Sequence, residues 1–177
     1  MKRMRGRRGI TLVEIMVVVA IFGVMVLVLG TSFQGWMEKH KVEDQTKQLF
    51  FDITEARTRA LQRNRVHFVA LQANSYQTYE DTSPGPDGDR VLVTTADRRI
   101  VDKRTDYSIT RGPGMPAQLD FSREGIPSPG GVPLAPGASL YVSLTHSPSM
   151  SPEYDCVNIT TTRIKMGRLN GGTCVER

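Results

Sequence analysis

The sequence predicts an α+β fold, in which one long amino-terminal helix packs on an antiparallel β-sheet domain. The apolar residues keep a helical rhythm to about Arg63, and no proline occurs before Pro84. Beyond Asn64 the apolar residues alternate with polar ones, as they do in β-strands. One helix followed by a run of strands favours a helix packed on an antiparallel sheet over a βαβ fold.

The chain begins with a basic leader that is followed by an apolar run. Residues 1–9 contain no acidic side chain, and Glu14 is the only strongly polar side chain of residues 10–30. As a helix, the apolar run would cover roughly 30 Å, which is the thickness of the bilayer hydrocarbon. We therefore expect a membrane helix over 10–30, with the leader in the cytoplasm and the rest of the chain outside it. The basic residues of the leader are Lys2, Arg3, Arg5, Arg7 and Arg8.

Two ordinary explanations compete for this amino-terminal stretch. A secretory signal peptide has a shorter apolar core and an A-x-A-like cleavage site, whereas this run continues into Thr31 and Phe33 without one. An uncleaved signal anchor accounts for the charges and the length, but not for Glu14. An unpaired carboxylate near the middle of a bilayer costs about 2.5–3.5 kcal/mol or more.

Residues 31–64 predict an amphipathic continuation of the same helix. The apolar residues of one face recur at intervals of seven, four, three and four, which places them side by side. This face consists of Val42, Leu49, Ile53, Ala56 and Ala60, and we expect it to pack on the sheet. The opposite face carries Lys39, Glu43, Lys47, Glu55, Arg57 and Arg59, which we expect to be exposed.

Residues 65–177 predict a β-rich globular domain. Strands are expected at 66–70, from 76, and at 90–95, 99–103, 107–110, 118–121, 139–144 and 156–162. Loops are expected at 81–89 and 111–137, which are rich in Pro and Gly. A calcium site formed by Asp81, Asp87 and Asp89 is conceivable, but tight turns select the same residue types, and we favour turn chemistry.

Charge and cysteine content restrict the partners and the compartment. Five of the 23 Lys and Arg residues lie in the leader, so the remaining 18 equal the 18 Asp and Glu residues. Bulk basicity therefore gives no argument for a polyanionic partner. Outside the cytoplasm, Cys156 and Cys174 are expected to form a disulfide, worth about 3 kcal/mol in the chain-entropy model. Metal binding is the alternative, but His40, His67 and His146 are scattered and no Cys-x-x-Cys occurs.

The junction Gly9-Ile10-Thr11-Leu12-Val13-Glu14 resembles the prepilin signature of type IV pilins and type II secretion pseudopilins. This resemblance implies a type IV pilin-like fold and a prepilin peptidase that cleaves after Gly9 and methylates the new amino terminus, Ile10. Ile10 stands where the family usually has phenylalanine. Glu14 would serve assembly, because its carboxylate could neutralise the free amine of Ile10 on a neighbouring subunit inside an apolar filament core.

Three later segments are similar to the GspH/FimT group of minor pilins and pseudopilins: residues 56–71 (ARTRALQRNRVHFVAL), residues 119–125 (LDFSREG), and Gly167-Arg168, expected after a strand. Members of that group implicated in DNA uptake carry Gly-Arg-x-Arg near the carboxyl end. Here the stretch reads Gly-Arg-Leu-Asn, so the second arginine is missing. With Arg163 and Lys165, Arg168 would make at most a weak phosphate-contacting site; a solvated strand end is the simpler interpretation.

The sequence shows no catalytic signature: Gly-x-Ser-x-Gly, His-Glu-x-x-His and Gly-x-x-x-x-Gly-Lys are all absent. We therefore expect no enzyme, no cofactor and no metal. The leading hypothesis is a structural minor subunit of a type II secretion pseudopilus or a type IV pilus. It would be a single-pass protein of the bacterial inner membrane, with its globular domain in the periplasm or on an extracellular filament. Its partners would be the prepilin peptidase and other pilin or pseudopilin subunits.

Two alternatives to this hypothesis stay open. One is a DNA-binding minor pilin for DNA uptake, although nucleic acid is the less favoured partner. The other is a single-pass anchored periplasmic domain that never polymerises.

Overall fold

The computed structural model describes residues 10–85 and 88–177, and the side chains of residues 27–34 lie outside its described part. The chain divides into two compact units, Met1–Glu38 and Lys39–Arg177. The α-helix α1 (Leu12–Arg63) contains the described helical residues of the first unit and continues as the first element of the second. The predicted leader, 1–9, lies outside the described residues.

The second part of α1 packs through the face that the spacing predicts. Val42, Leu49, Ile53, Ala56 and Ala60 are all buried in the core, which confirms the predicted apolar face. Burial of this stripe stabilises the helix more than intrinsic propensity does, because an isolated helix is marginal in water.

The prediction that Glu43 lies on the exposed face is wrong. Its side chain is only 7% exposed, because the loop before the eighth strand covers it and supplies a donor. The backbone N–H of Glu153 donates to the Glu43 carboxylate at 2.8 Å, and Lys39 Nζ lies 3.8 Å from the same oxygen. A carboxylate can be buried when it is paired and hydrogen-bonded in this way.

Within residues 10–85 and 88–177 the strands form two antiparallel sheets of five strands each, whereas the sequence predicted one sheet. The first sheet has the order β3-β2-β1-β5-β6 and the second the order β10-β9-β8-β7-β4. The strands are β1 (His67–Leu71), β2 (Ser75–Glu80), β3 (Arg98–Arg104), β4 (Ser108–Arg111), β5 (Gln118–Phe121), β6 (Pro127–Pro129), β7 (Ser139–Thr145), β8 (Cys156–Thr160), β9 (Ile164–Asn170) and β10 (Thr173–Glu176). The α+β class and the antiparallel pairing are confirmed.

One predicted strand is absent and three strands were not predicted. Residues 90–95 form a bend followed by a turn, because Arg90 has φ 67° and the Val93 carbonyl accepts from Ala96 N and Asp97 N at 2.9 and 2.7 Å. The Asp97 carboxylate also accepts from Val93 N at 2.7 Å, which removes the backbone donor that a ladder would need. The three strands that the sequence did not predict are β6, within the predicted 111–137 loop, and β9 and β10 at the carboxyl end.

One core joins the helix to both sheets. Leu49 and Ile53 of α1 belong to the same buried cluster as Phe121 of the first sheet and Val142 and Val157 of the second. Tyr76 is also buried there, and its hydroxyl donates to the Asp52 carboxylate at 2.6 Å. Lys103 Nζ lies 2.8 Å from the same carboxylate oxygen, so a polar link accompanies the apolar packing between α1 and the first sheet.

We expect the buried imidazole of His67 to make the fold sensitive to mild acid. His67 is fully buried, and burial is the main cause that lowers its pKa below the ordinary 6.5. Between that folded-state pKa and 6.5 the unfolded chain binds more protons, so the free energy of unfolding falls as the pH drops below about 6.5. A His67→Gln variant should show a flatter dependence than the wild type in urea titrations at pH 7.5 and below. Parallel curves for the two proteins would contradict this prediction.

Candidate functional site

The amino terminus of α1 is capped by Thr11. The backbone N–H of Glu14 donates to Thr11 Oγ1 at 3.2 Å and to the Thr11 carbonyl at 3.1 Å. Thr-x-x-Glu is the pattern of a capping box, and an acidic residue in the first turn is favourable for the helix dipole. The role of Thr11 was missed from the sequence, although this spacing could have indicated it.

The described part of the apolar run exposes its side chains on every face of the helix. Every residue of 10–26 is exposed within the chain, including Ile15, Val19, Phe22 and Val26. A helix that is apolar all round requires a covering environment, either lipid or other protein. Glu14 is the single charged residue of this stretch.

Within residues 10–85 and 88–177, no helix meets the length and hydropathy that crossing a membrane requires. The predicted membrane segment, 10–30, includes residues 27–30, whose side chains lie outside the described part. Gly9, on the amino side of the predicted cleavage bond, also lies outside it. Ile10, on the other side of that bond, is 73% exposed and precedes the first turn of the helix.

The structure contains the predicted disulfide between Cys156 and Cys174. It connects β8 to β10, which lie on either side of β9, and the two Cα atoms are 6.0 Å apart. Gly167 lies opposite Cys156 and Glu176 in the sheet register. A Cβ at this position would collide with the Val175 carbonyl and lie against the Cys174 sulfur, so glycine gives the disulfide and β10 room.

The three cations of the predicted nucleic-acid site do not lie together in the structure. Arg163 Nη2 and Lys165 Nζ both lie close to Oε2 of Glu176, at 3.2 and 3.1 Å. Lys165 is the main cause that lowers the pKa of Glu176, which keeps that carboxylate ionised. Arg168 follows Lys165 by an odd number of positions in β9, so it faces the other side of the sheet, where its guanidinium donates to Ser151 Oγ at 2.9 Å.

Gly167 and Arg168 lie inside β9 rather than after a strand, which corrects the sequence-based placement. The reason is that residues 164–167 pair with β8 and residues 167–170 pair with β10, while the alternation of apolar and polar residues changes phase at Gly167.

Two of the three candidate calcium ligands accept hydrogen bonds from backbone N–H groups. The Asp81 carboxylate accepts from Arg90 N at 2.8 Å, and the Asp89 carboxylate accepts from Val91 N at 2.9 Å. Asp87 lies outside the described residues. Among the residues that the structure describes, no group of three or more His, Cys, Asp or Glu side chains could hold a metal ion. The contact of Asp89 with the N–H two residues on is one that turn chemistry predicts, and the calcium site stays an untested alternative.

The amino-terminal motif is also recognised by comparison with known families. Residues 4–30 match the family described as the prokaryotic N-terminal methylation motif. The chain thus carries a prepilin-type motif, which supports a type IV pilin-like or pseudopilin class of protein. No curated protein and no solved structure matches the chain. The narrower resemblance to the GspH/FimT group stays a prediction.

Proposed function

We propose that the chain is a non-catalytic structural subunit, of the minor type, in a type II secretion pseudopilus or a type IV pilus. Prepilin peptidase cleaves it after Gly9 and methylates Ile10. The apolar helix then leaves the inner membrane and packs against the helices of other subunits. The domain that follows lies in the periplasm or on the surface of the filament.

The observation that carries this proposal is the apolar surface of residues 10–26 with one carboxylate near its start. Lipid can cover such a surface in the precursor, and neighbouring helices can cover it in a filament. Once the leader is removed, Ile10 carries a cationic amine. Glu14 of an adjacent subunit can then neutralise that amine, which offsets the cost of holding either charge in an apolar core.

The disulfide supports the same location for the globular domain. Disulfides form and persist in oxidising compartments and are rare in the cytosol of mesophiles. A Cys156–Cys174 bond is therefore what a domain outside the cytoplasm would contain. A membrane helix with basic residues on its cytoplasmic side orients the domain in this direction.

Retention of DNA through Arg163, Lys165 and Arg168 is the less favoured function. Arg163 and Lys165 share the carboxylate of Glu176, so only one positive charge of this pair is unbalanced. Arg168 faces the opposite side of the sheet from Lys165, so the three predicted cations do not form one phosphate-contacting group. An anchor that never polymerises is also less favoured, because its Glu14 carboxylate would stay in the apolar segment without the amine of a neighbouring subunit to pair with.

The first experiment is the intact mass and amino-terminal sequence of the protein from membranes, with and without prepilin peptidase. We expect a chain that starts at methylated Ile10 when the peptidase is present and a chain that retains 1–9 when it is absent. Retention of the leader in both strains would overturn the pilin-like function and favour a signal-anchored domain.

A further inference from the structure

Three arginines surround one buried carboxylate in an open, shallow depression on the surface of the Lys39–Arg177 unit. This arginine pocket is lined by Arg63, Arg65, Glu80, Thr82 and Arg98 and has a volume of about 420 Å³. Arg63 ends α1, Arg65 lies in the turn before β1, Glu80 ends β2 and Arg98 begins β3. The ends of three elements therefore bring the charges together.

The arginine pocket contains more positive charge than the single carboxylate of Glu80 can balance. Arg63 Nη1 already contacts both carboxylate oxygens of Glu80, at 3.3 and 3.0 Å, and the Glu80 side chain is only 3% exposed. Arg65 and Arg98 lie farther away, at 3.7 and 3.8 Å from the carboxylate. Three guanidinium groups against one carboxylate leave two positive charges unbalanced.

Most of the hydrogen-bonding capacity of these arginines is unused. In the described part of the chain, every ion pair of the three groups uses Nη1, so each planar fork still presents Nη2 and Nε. The Arg98 side chain is 63% exposed, and Arg63 and Arg65 are partly exposed. Forks of this kind bind tetrahedral oxyanions in a bidentate manner.

Two further carboxylates near the pocket, Asp81 and Asp97, are hydrogen-bonded to backbone N–H groups and, among the described residues, not to its arginines. Asp97 accepts backbone N–H groups from Thr82, Ser83 and Val93, and Asp81 accepts one from Arg90. Neither carboxylate forms an ion pair with the three arginines within the residues that the structure describes.

We propose that the arginine pocket binds one phosphate-type oxyanion, either free phosphate or the phosphate of an ester. A dianion would pair with Arg65 and Arg98, which Glu80 contacts only at 3.7 and 3.8 Å, while the Glu80 carboxylate holds the guanidinium of Arg63 in place. The five lining residues include no aromatic side chain on which a base could stack, so a single phosphate group fits the pocket better than a nucleic-acid strand.

The test is a titration of the full-length chain in a non-ionic detergent with inorganic phosphate at fixed ionic strength. Binding is followed by calorimetry and by the Nε–Hε signals of the arginines in ¹⁵N NMR spectra. Arg98→Gln is the informative variant, because Arg63 and Arg65 stabilise the buried Glu80 more directly. Arg99→Gln is the matched control, since Arg99 lies next to Arg98 in β3 and pairs with Asp102 at 2.9 Å.

We expect Arg98→Gln to weaken phosphate binding about tenfold, which corresponds to the loss of one charge-assisted hydrogen bond. Arg99→Gln should change it less than about twofold. Absence of phosphate binding by the wild type, or equal weakening by both variants, would overturn the proposal. Perturbed signals at Arg163 and Arg168 instead of the pocket would also overturn it.

A phosphate monoester and a short DNA oligonucleotide identify the source of the phosphate. If the monoester competes with inorganic phosphate, the pocket accepts esters; if it does not, free phosphate is the ligand. An oligonucleotide that binds where inorganic phosphate does not would refute a single-phosphate site and indicate nucleic-acid binding instead.

Discussion

Glu14→Gln is expected to be processed after Gly9 at the wild-type level and to fail to enter filaments. Glutamine keeps the length and the hydrogen-bonding groups of glutamate, and it is equally suited to the third position of a capped helix. It removes only the charge that would compensate the amine of Ile10 on the neighbouring subunit. The measurements are the mass of the membrane-bound chain and the amount of chain in sheared filaments or in an assembled pseudopilus.

Thr11→Val is the matched control for this prediction. It removes the hydroxyl that accepts the backbone N–H of Glu14 and costs about 0.5–2 kcal/mol of helix capping, but it keeps the charge. We expect this variant to assemble. If the Glu14→Gln variant entered filaments in wild-type amounts, the charge of Glu14 would not be needed for contact with a neighbouring subunit.

Removing the disulfide is expected to lower the free energy of unfolding of the globular domain by about 3 kcal/mol. The bond closes a loop between Cys156 and Cys174, which are 18 positions apart, so its loss restores conformational freedom to the unfolded chain. Cys156 is also fully buried, and β10 is an edge strand that pairs only with β9 in its sheet. The double variant Cys156→Ala/Cys174→Ala should therefore release β10 first.

Chemical denaturation of the double variant measures this effect. The wild type under reducing conditions is the matched control, because it loses the bond without any change of side chain. Both should unfold at similarly lower denaturant concentrations than the oxidised wild type. An unchanged midpoint in the two reduced forms would mean that pairing of β10 with β9 holds the carboxyl end without the disulfide.

The predicted features that the structure confirms are those that local periodicity determines. The buried face of α1 followed from the spacing of five apolar residues, because a helix presents residues at three- and four-residue intervals on one side. Gln118–Phe121 was predicted as a strand with the same bounds that β5 has. Glu43 was misplaced because its burial depends on a loop more than a hundred positions away, which periodicity cannot register.

The errors in the β domain have a different origin. The apolar residues at 91–93 suggested a strand, but Val91 is exposed and the Asp97 carboxylate accepts the backbone N–H of Val93. β9 and β10 were not predicted, because the alternation of β9 changes phase at Gly167 and β10 is only four residues long. Their pairing depends on partners, on the room at Gly167 and on the disulfide, none of which a short window of sequence contains.

The sequence by itself determined the prepilin-type start, the apolar run with its single carboxylate, the long helix, the helix-then-strands class and the pair of cysteines. Each of these is a local property of composition or spacing. The tertiary structure decided the division into two sheets, the pairing of Arg163 and Lys165 with Glu176, and the gathering of three arginines around Glu80. These features join residues that are far apart in the chain, and only packing determines which charges meet and which are left unbalanced.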